Sequence, residues 1–274
     1  MKNLRTVGFY ALVVALLVVQ LFPVIWLLIS SFRPTLALTS APFWIGGTLT
    51  LDNYKAVLGG SDVFLYIRNT AIVTGVSLVI IVALSASAGF ALEILENRLN
   101  RRIAALFMIG IMIPIQVSLI PLFSMYRSLH LLNTYQALIL PQVGFALPLS
   151  VLIFQNFYRY VPREMVEAAI IDGCNVYQMF FRVILPLMKN VVLTVASLNF
   201  VFIWNDFIFS NTFTSDKNYK TIAVGLQEFI GAFGATDWGN TFAAICISLT
   251  PVVVIYLLMN KQMMAGISAG AVKG

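Results

Sequence analysis

The sequence predicts an all-α membrane protein with six transmembrane helices and both termini in the cytoplasm, and three observations carry that prediction. Of the 274 residues, 60% are apolar and only 10% are charged, against roughly 45–50% and 25% in soluble domains. Apolar runs free of Asp, Glu, Lys and Arg recur at about 9–30, 70–92, 103–123, 137–157, 191–205 and 242–259, most of them near the ~20 residues that carry a helix across hydrocarbon. With the N-terminus inside, the segments 1–8, 93–102, 158–190 and 260–274 hold eleven of the seventeen Lys and Arg residues, which is the bias of cytoplasmic loops.

The first run, at 22 residues, exceeds the ~7–15 of a signal-peptide core, and no A-x-A site follows it, so it is expected to remain as a helix. The second carries Gly75, Ser77, Ser85, Ser87, Ala88 and Gly89, small side chains that let helix backbones approach closely. Pro114, Pro121, Pro141, Pro148 and Pro251 interrupt several later runs. A membrane tolerates such breaks where neighbouring protein or water satisfies the freed carbonyls. The fifth run extends on both sides, giving an expected span at 188–209. Residues 222–235 are also apolar but number about 14 and include Gln227 and Glu228, which suits a re-entrant or interfacial helix better than a crossing. The expected organisation is a single transmembrane domain over 1–274, with spans at about 9–30, 70–92, 103–123, 137–157, 188–209 and 242–259, a cytoplasmic loop at 158–190 and an external loop at 210–241.

The cytoplasmic loop is the polar anomaly of the chain. Pro162 suits the start of a helix, Arg163 to Ile171 can be helical, and Gly173 suits the left-handed position that ends one. Asn175 with Gln178 three residues on is the pattern of a second start. Val176, Met179, Phe180, Val183 and Ile184 then repeat at helical spacing until Leu185-Pro186. The loop therefore reads as a helix–turn–helix. Its first helix offers Glu167, Ala168 and Ala169: small side chains admit another protein's groove, and the carboxylate can take a charge-assisted contact. An amphipathic helix resting on lipid headgroups is the alternative at this level.

Several function classes fall away. The net charge of +6 comes with no basic patch interleaved with aromatics, so nucleic acid is not expected as a partner. Cys174 and Cys246 form neither a C-x-x-C nor a cluster with His, so no metal site and no disulfide framework is expected. No G-x-x-x-x-G-K-[ST] motif occurs, so ATP is not bound by this chain in that way. Asp206 stands at a soft span edge, and the other spans carry no carboxylate or His, which leaves a proton relay little to use. No catalytic residue is expected: the lone His130 sits in a short outer loop without a partner nucleophile. An ion-coupled secondary transporter is the alternative function, although it would predict inverted repeats that the sequence lacks.

Glu167-Ala168-Ala169, then Asp172-Gly173, then an aromatic-rich helix ending in Leu185-Pro186 resembles the EAA loop of binding-protein-dependent ABC importer permeases. The resemblance extends to Ser31-Phe32-Arg33-Pro34, Thr50-Leu51-Asp52-Asn53-Tyr54, Leu132-Asn133-Thr134-Tyr135, Trp204-Asn205-Asp206 and the C-terminal Gly270-Ala271-Val272-Lys273-Gly274. Together these are similar to the carbohydrate-uptake branch, and to the smaller six-helix subunit of maltose-type permease pairs. The resemblance implies a type I importer permease fold in a prokaryotic inner membrane. It further implies a second homologous permease, two ATPase subunits that hold ATP and Mg, and an extracytoplasmic sugar-binding protein. On this reading Glu167, Ala168, Ala169, Asp172, Gly173, Leu185 and Pro186 couple to the ATPase. Neutral Gln116, Asn199 and Asn205 are candidates to line the sugar pathway. Gly231, Phe233 and Gly234 of the external loop are candidates to meet the binding protein, with the glycines supplying backbone freedom.

Overall fold

The computed structural model describes residues 2–95, 97–229 and 236–271, the side chains of 2–5 and 259–271 excepted. Helices account for nearly all of the regular structure. In order they are α1 (Lys2–Ser30), α2 (Thr35–Ser40), α3 (Asp52–Gly60), α4 (Val63–Glu93), α5 (Asn100–Ile111), α6 (Ile115–Ser128), α7 (Tyr135–Tyr158) and α8 (Arg163–Ile171). They continue with α9 (Val176–Leu187), α10 (Lys189–Trp204), α11 (Ile208–Phe213), α12 (Ile222–Gly225) and α13 (Trp238–Ala271). Among the described residues, Thr6–Ser30, Val63–Glu93, Tyr135–Tyr158 and Trp238–Leu258 are long and apolar enough to cross a membrane. Two bent pairs bring the number to six if each is one span: α5 with α6, meeting at 95°, and α9 with α10, meeting at 76°.

The α5–α6 bend has a local cause. The expected span 103–123 falls on α5 and α6, and Pro114 stands between them in extended conformation as the N-cap of α6. A residue preceding proline is pushed out of the helical region, so the first helix stops before it. The expected span 188–209 falls on α10 and then on Asn205 to Phe207, where the Asp206 carboxylate accepts the Phe209 and Ser210 N–H groups at 3.3 and 3.2 Å and starts α11. Pro141 and Pro148 lie inside a continuous α7, the case in which a membrane helix absorbs prolines without ending. The segment from Ile222 is shorter in helix than the apolar run: α12 gives way to a 3-10 turn at Leu226–Phe229.

The chain divides into two units, Met1–Leu65 with Val224–Pro251 and Tyr66–Ala223 with Val252–Gly274. In the first, the two short motifs after the first span are joined. Asn53 donates from Nδ2 to the Ser31 and Arg33 carbonyls, both at 2.9 Å, and Tyr54 Oη meets Ser31 Oγ at 2.7 Å. Arg33 is buried and donates through Nη2 to the carbonyls of Ala37 and Ala41, closing the C-terminal end of α2. A cation at that end complements the helix dipole. A Cβ on Gly239 would stand 2.6 Å from Asn53 Oδ1, so α13 reaches this corner only with a glycine.

The second unit holds the main core, in which Phe90, Phe154, Tyr158 and Phe180 pack ring against ring. A Cβ on Gly89 would lie 2.8 Å from Phe154 Cβ and 3.0 Å from the Gln155 backbone nitrogen, so α4 and α7 touch backbone to backbone there. This is the close approach that the small-residue pattern implied, whereas Gly75 in the same helix meets nothing within 4 Å. Asn133 adopts φ 58 and accepts through Oδ1 from the Ser215 and Asp216 N–H groups at 2.6 and 2.9 Å. Thr134 caps α7, and Tyr135 donates its hydroxyl to Asn69 at 2.8 Å. The Leu132–Tyr135 motif is thus a brace that ties the start of α7 to the segment after α11.

Candidate functional site

The loop between α7 and α10 is built by three successive caps. Pro162, at φ −59, precedes α8 and lacks the N–H that a helix start would leave unpaired anyway. At the other end Gly173 takes φ 75; its N–H donates to the Ile170 carbonyl and that of Cys174 to the Ala169 carbonyl, both at 3.0 Å. This 5→2 and 6→1 pair is a Schellman motif, with Asp172 as the last cap and Gly173 in the left-handed place. Asn175 then opens α9 with a complete capping box: Gln178 N–H donates to Asn175 Oδ1 at 2.9 Å, and Asn175 N–H to Gln178 Oε1 at 3.0 Å. The turn is therefore held on both sides by hydrogen bonds, and its geometry is fixed.

One feature departs from the regular spacing expected of the second helix. Met179–Ile184 form a π-helical turn, burying Met179, Phe180 and Ile184 while Val176 stays exposed. Pro186 follows and offers no N–H to the Arg182 carbonyl, which removes one α-type bond from this segment. The wider turn swings Phe180 onto Phe90, ring centroids 5.1 Å apart, and so anchors the loop to the core of its unit.

The predicted coupling residues divide by position. Glu167, Ala168, Asp172 and Pro186 are exposed, Leu185 is half-buried, and Ala169 is buried at 4% exposure. Ala169 thus lies beneath α8, not on the outward face where the sequence reading set it, because α8 turns Val166 and Ala169 onto the core. Beside Glu167 and Ala168 the outer surface is apolar: Ile170, Ile171, Tyr177 and Phe181 are all exposed. Below α8 lies a cavity of about 860 Å³ reached by Glu93, Arg159, Arg163, Glu167, Cys174 and Met179 among others.

At the rim of that cavity is a polar node that sequence reasoning missed. Glu93, the last residue of α4, accepts from Gln155 Nε2 at 3.1 Å through one carboxylate oxygen and from Arg159 Nε at 3.2 Å through the other. Gln155 is buried and Arg159 is largely exposed. The available signal was a lone carboxylate closing the apolar run 70–92, 62 and 66 positions before its partners, a separation no local pattern bridges.

A second cavity, of about 460 Å³, opens inside the same unit between the α5–α6 break, α7, α10 and Phe209. Of the expected pathway residues the structure brings only Asn199 to it. Asn199 is buried and donates through Nδ2 to Ser150 Oγ at 3.1 Å and to the Val195 carbonyl at 2.8 Å, tying α10 to α7. Gln116 and Asn205 are both exposed and outside this lining, Asn205 folding back onto the Val201 carbonyl. Gln142, which stood in the uncharged run 137–157 beside Pro141, takes the place expected of them. The external-loop candidates Gly231, Phe233 and Gly234 lie outside the described residues. Among the described residues no group of three or more His, Cys, Asp or Glu could hold a metal ion.

Comparison with known proteins gives this arrangement a context. Residues 83–262 match the family described as "Binding-protein-dependent transport system inner membrane component". A probable ABC transporter permease of Bacillus subtilis, YurM, is 34% identical over 92% of this chain and 84% of its own length. The trehalose/maltose transport system permease MalG of Thermococcus litoralis is 34% identical, covering 94% and 93% of the two chains. In fold the chain is similar to a bacterial ABC transporter for import of alginate, with a TM-score of 0.83, 19% identity and coverage of 95% and 96%. The matched range contains both the capped loop and the internal cavity. This chain is a multi-pass membrane subunit of an ABC transporter, with ATP hydrolysis residing in separate subunits, and it belongs to the binding-protein-dependent transport system inner membrane component family.

Proposed function

We propose that this chain is the smaller permease of an ATP-driven sugar importer, pairing with a second permease around a translocation pathway and driven through loop 158–190 by two cytoplasmic ATPase subunits. The observation that carries the coupling role is the doubly capped turn around Gly173, which holds α8 and α9 rigidly and leaves Ile170, Ile171, Tyr177 and Phe181 exposed beside Glu167. Rigid helices rimmed by charge around an exposed apolar patch are the surface a protein partner requires. Sugar as cargo is supported by relatives whose names specify trehalose, maltose, melibiose and sulfoquinovosyl glycerol transport. ATP and Mg then belong to the partner ATPase, and an external binding protein supplies the cargo.

Six crossings with both termini and loop 158–190 inside are required: α1, α4, α5 with α6 as one, α7, α10 and α13. A cysteine replacing Lys217 should then react with an impermeant maleimide in intact cells, and one replacing Gln178 should react only after the membrane is opened. Labelling of position 178 from outside would invert the topology and remove loop 158–190 from the ATPase.

A further inference from the structure

The link from α4 into α5 reads Asn97-Arg98-Leu99-Asn100-Arg101-Arg102, with three arginines and no acid. Its depth in the bilayer follows from α4, which is long and apolar enough to cross and ends at Glu93. Asn100, the first residue of α5, directs Nδ2 at the carbonyls of Ala91, Leu92 and Leu95, at 3.2, 3.0 and 2.6 Å. Carbonyls in the last turn of a helix have no partner within it, so this amide staples the start of α5 to the end of the α4 span. The arginines are thereby held at the membrane surface, at the level of the headgroups.

All three arginines are exposed, and among the described residues none of them pairs with a carboxylate: the ion pairs there are Lys55–Asp52 and Arg159–Glu93. Glu93 is committed to Gln155 and Arg159, and Glu96 lies outside the described residues. Guanidinium groups stay charged and match phosphate oxygens with their fork of N–H donors. Behind them α5 buries no residue. Arg102, Leu106 and Ile109 follow one another at i, i+4 and i+7 and so share one stripe of the helix, on which Leu106 and Ile109 are 66% and 57% exposed. A cation at the surface with bare apolar side chains running inward from it is the complement of a phospholipid, phosphate at the top and acyl chain below. An acidic loop of a soluble protein would match the arginines but not the stripe, which belongs to the apolar run 103–123. We infer that Arg98, Arg101 and Arg102 form a site for the phosphate of an anionic phospholipid whose chain lies along Leu106 and Ile109. Cargo and ATPase docking play no part in it.

The test reconstitutes the complete importer in vesicles of phosphatidylcholine with about one-third phosphatidylglycerol, re-extracts it in detergent and measures the lipid it retains by mass spectrometry. The wild type should retain phosphatidylglycerol in preference to phosphatidylcholine. The triple variant Arg98→Gln, Arg101→Gln, Arg102→Gln should retain roughly fivefold less phosphatidylglycerol or lower still, at an equal amount of assembled complex, fivefold being the share of one basic side chain at an anionic surface. Lysine at the same three positions keeps the charge without the fork and should retain an intermediate amount, which separates loss of charge from a disturbed α4–α5 corner. Millimolar inorganic phosphate should not displace the lipid, because it offers nothing to Leu106 and Ile109. Equal retention by the wild type and the glutamine variant, or equal loss from the glutamine and lysine variants, would overturn the site. Displacement by inorganic phosphate would make it a free-anion site and overturn the lipid assignment. Loss of a co-purifying subunit from the glutamine variant, with phosphatidylglycerol retained, would make the patch a protein interface and overturn it equally.

Discussion

Replacing Gly173 with isoleucine is expected to leave the chain in the membrane but to reduce co-purifying ATPase, and binding-protein-stimulated ATP hydrolysis, by tenfold or more. The residue holds φ 75, a region that costs an L-residue about 1–2 kcal/mol and is a genuine outlier for a β-branched side chain. Nothing lies within 4 Å of a Cβ built there, so the penalty is conformational and not steric. To escape it the turn must re-route, breaking the bonds from Gly173 to Ile170 and from Cys174 to Ala169 and turning α8 away from α9. This origin gives the prediction a sharp control. Asparagine tolerates the left-handed region and also ends helices, so Gly173→Asn should retain most of the coupling that Gly173→Ile loses. Equal loss from both would show that bulk at the surface, not backbone conformation, is what matters.

The second large effect is expected at Glu93. Removing its carboxylate in Glu93→Ala leaves the buried Gln155 amide without its acceptor, a loss of about 1–3 kcal/mol. The Arg159 side chain is 58% exposed, so losing that half of the node should cost under about 1 kcal/mol. Glu93→Ala should therefore lower the thermal midpoint of the detergent-solubilised complex clearly more than Arg159→Ala does. Because the node joins the end of α4 to the residue where loop 158–190 begins, Glu93→Ala should also raise ATP hydrolysed per sugar imported. A ranking in which Arg159→Ala is the more destabilising would mean the exposed ion pair, and not the buried amide, holds this corner.

What the sequence made legible follows from how local each signal is. Pro162, Gly173 and the Asn175–Gln178 box act over at most five residues, and the structure places all of them as their chemistry requires. Hydrophobic length located the long helices for the same reason. The 95° bend between α5 and α6 was less visible, since Pro114 in an apolar run is equally the mark of a kink within one helix, as Pro141 and Pro148 are within α7. The least legible features were those made by distant residues. Asn53 with Ser31, Asn133 with Ser215, and Glu93 with Gln155 are tertiary hydrogen bonds that no periodicity encodes. Gln116 and Asn205 looked as suited to a pathway as Gln142, and only the folded chain distinguishes the amide that faces the cavity from the two that do not. The short motifs at Ser31–Pro34, Thr50–Tyr54 and Leu132–Tyr135 are largely spent on bracing corners of the fold.

The central claim is that the exposed face of α8 and α9 is where an ATPase subunit docks. The most direct measurement places a single cysteine at Ala168, exposed beside Glu167, in an importer whose permease otherwise lacks Cys174 and Cys246, with a bifunctional thiol reagent and single cysteines introduced across the ATPase surface. A cross-link from position 168 to the ATPase is expected in high yield, changing in efficiency when ATP is bound, while a cysteine at Lys217, on the proposed outer side, is expected to give none. Absence of any cross-link from 168 in an intact, transporting complex, or equal yield from 217, would contradict it.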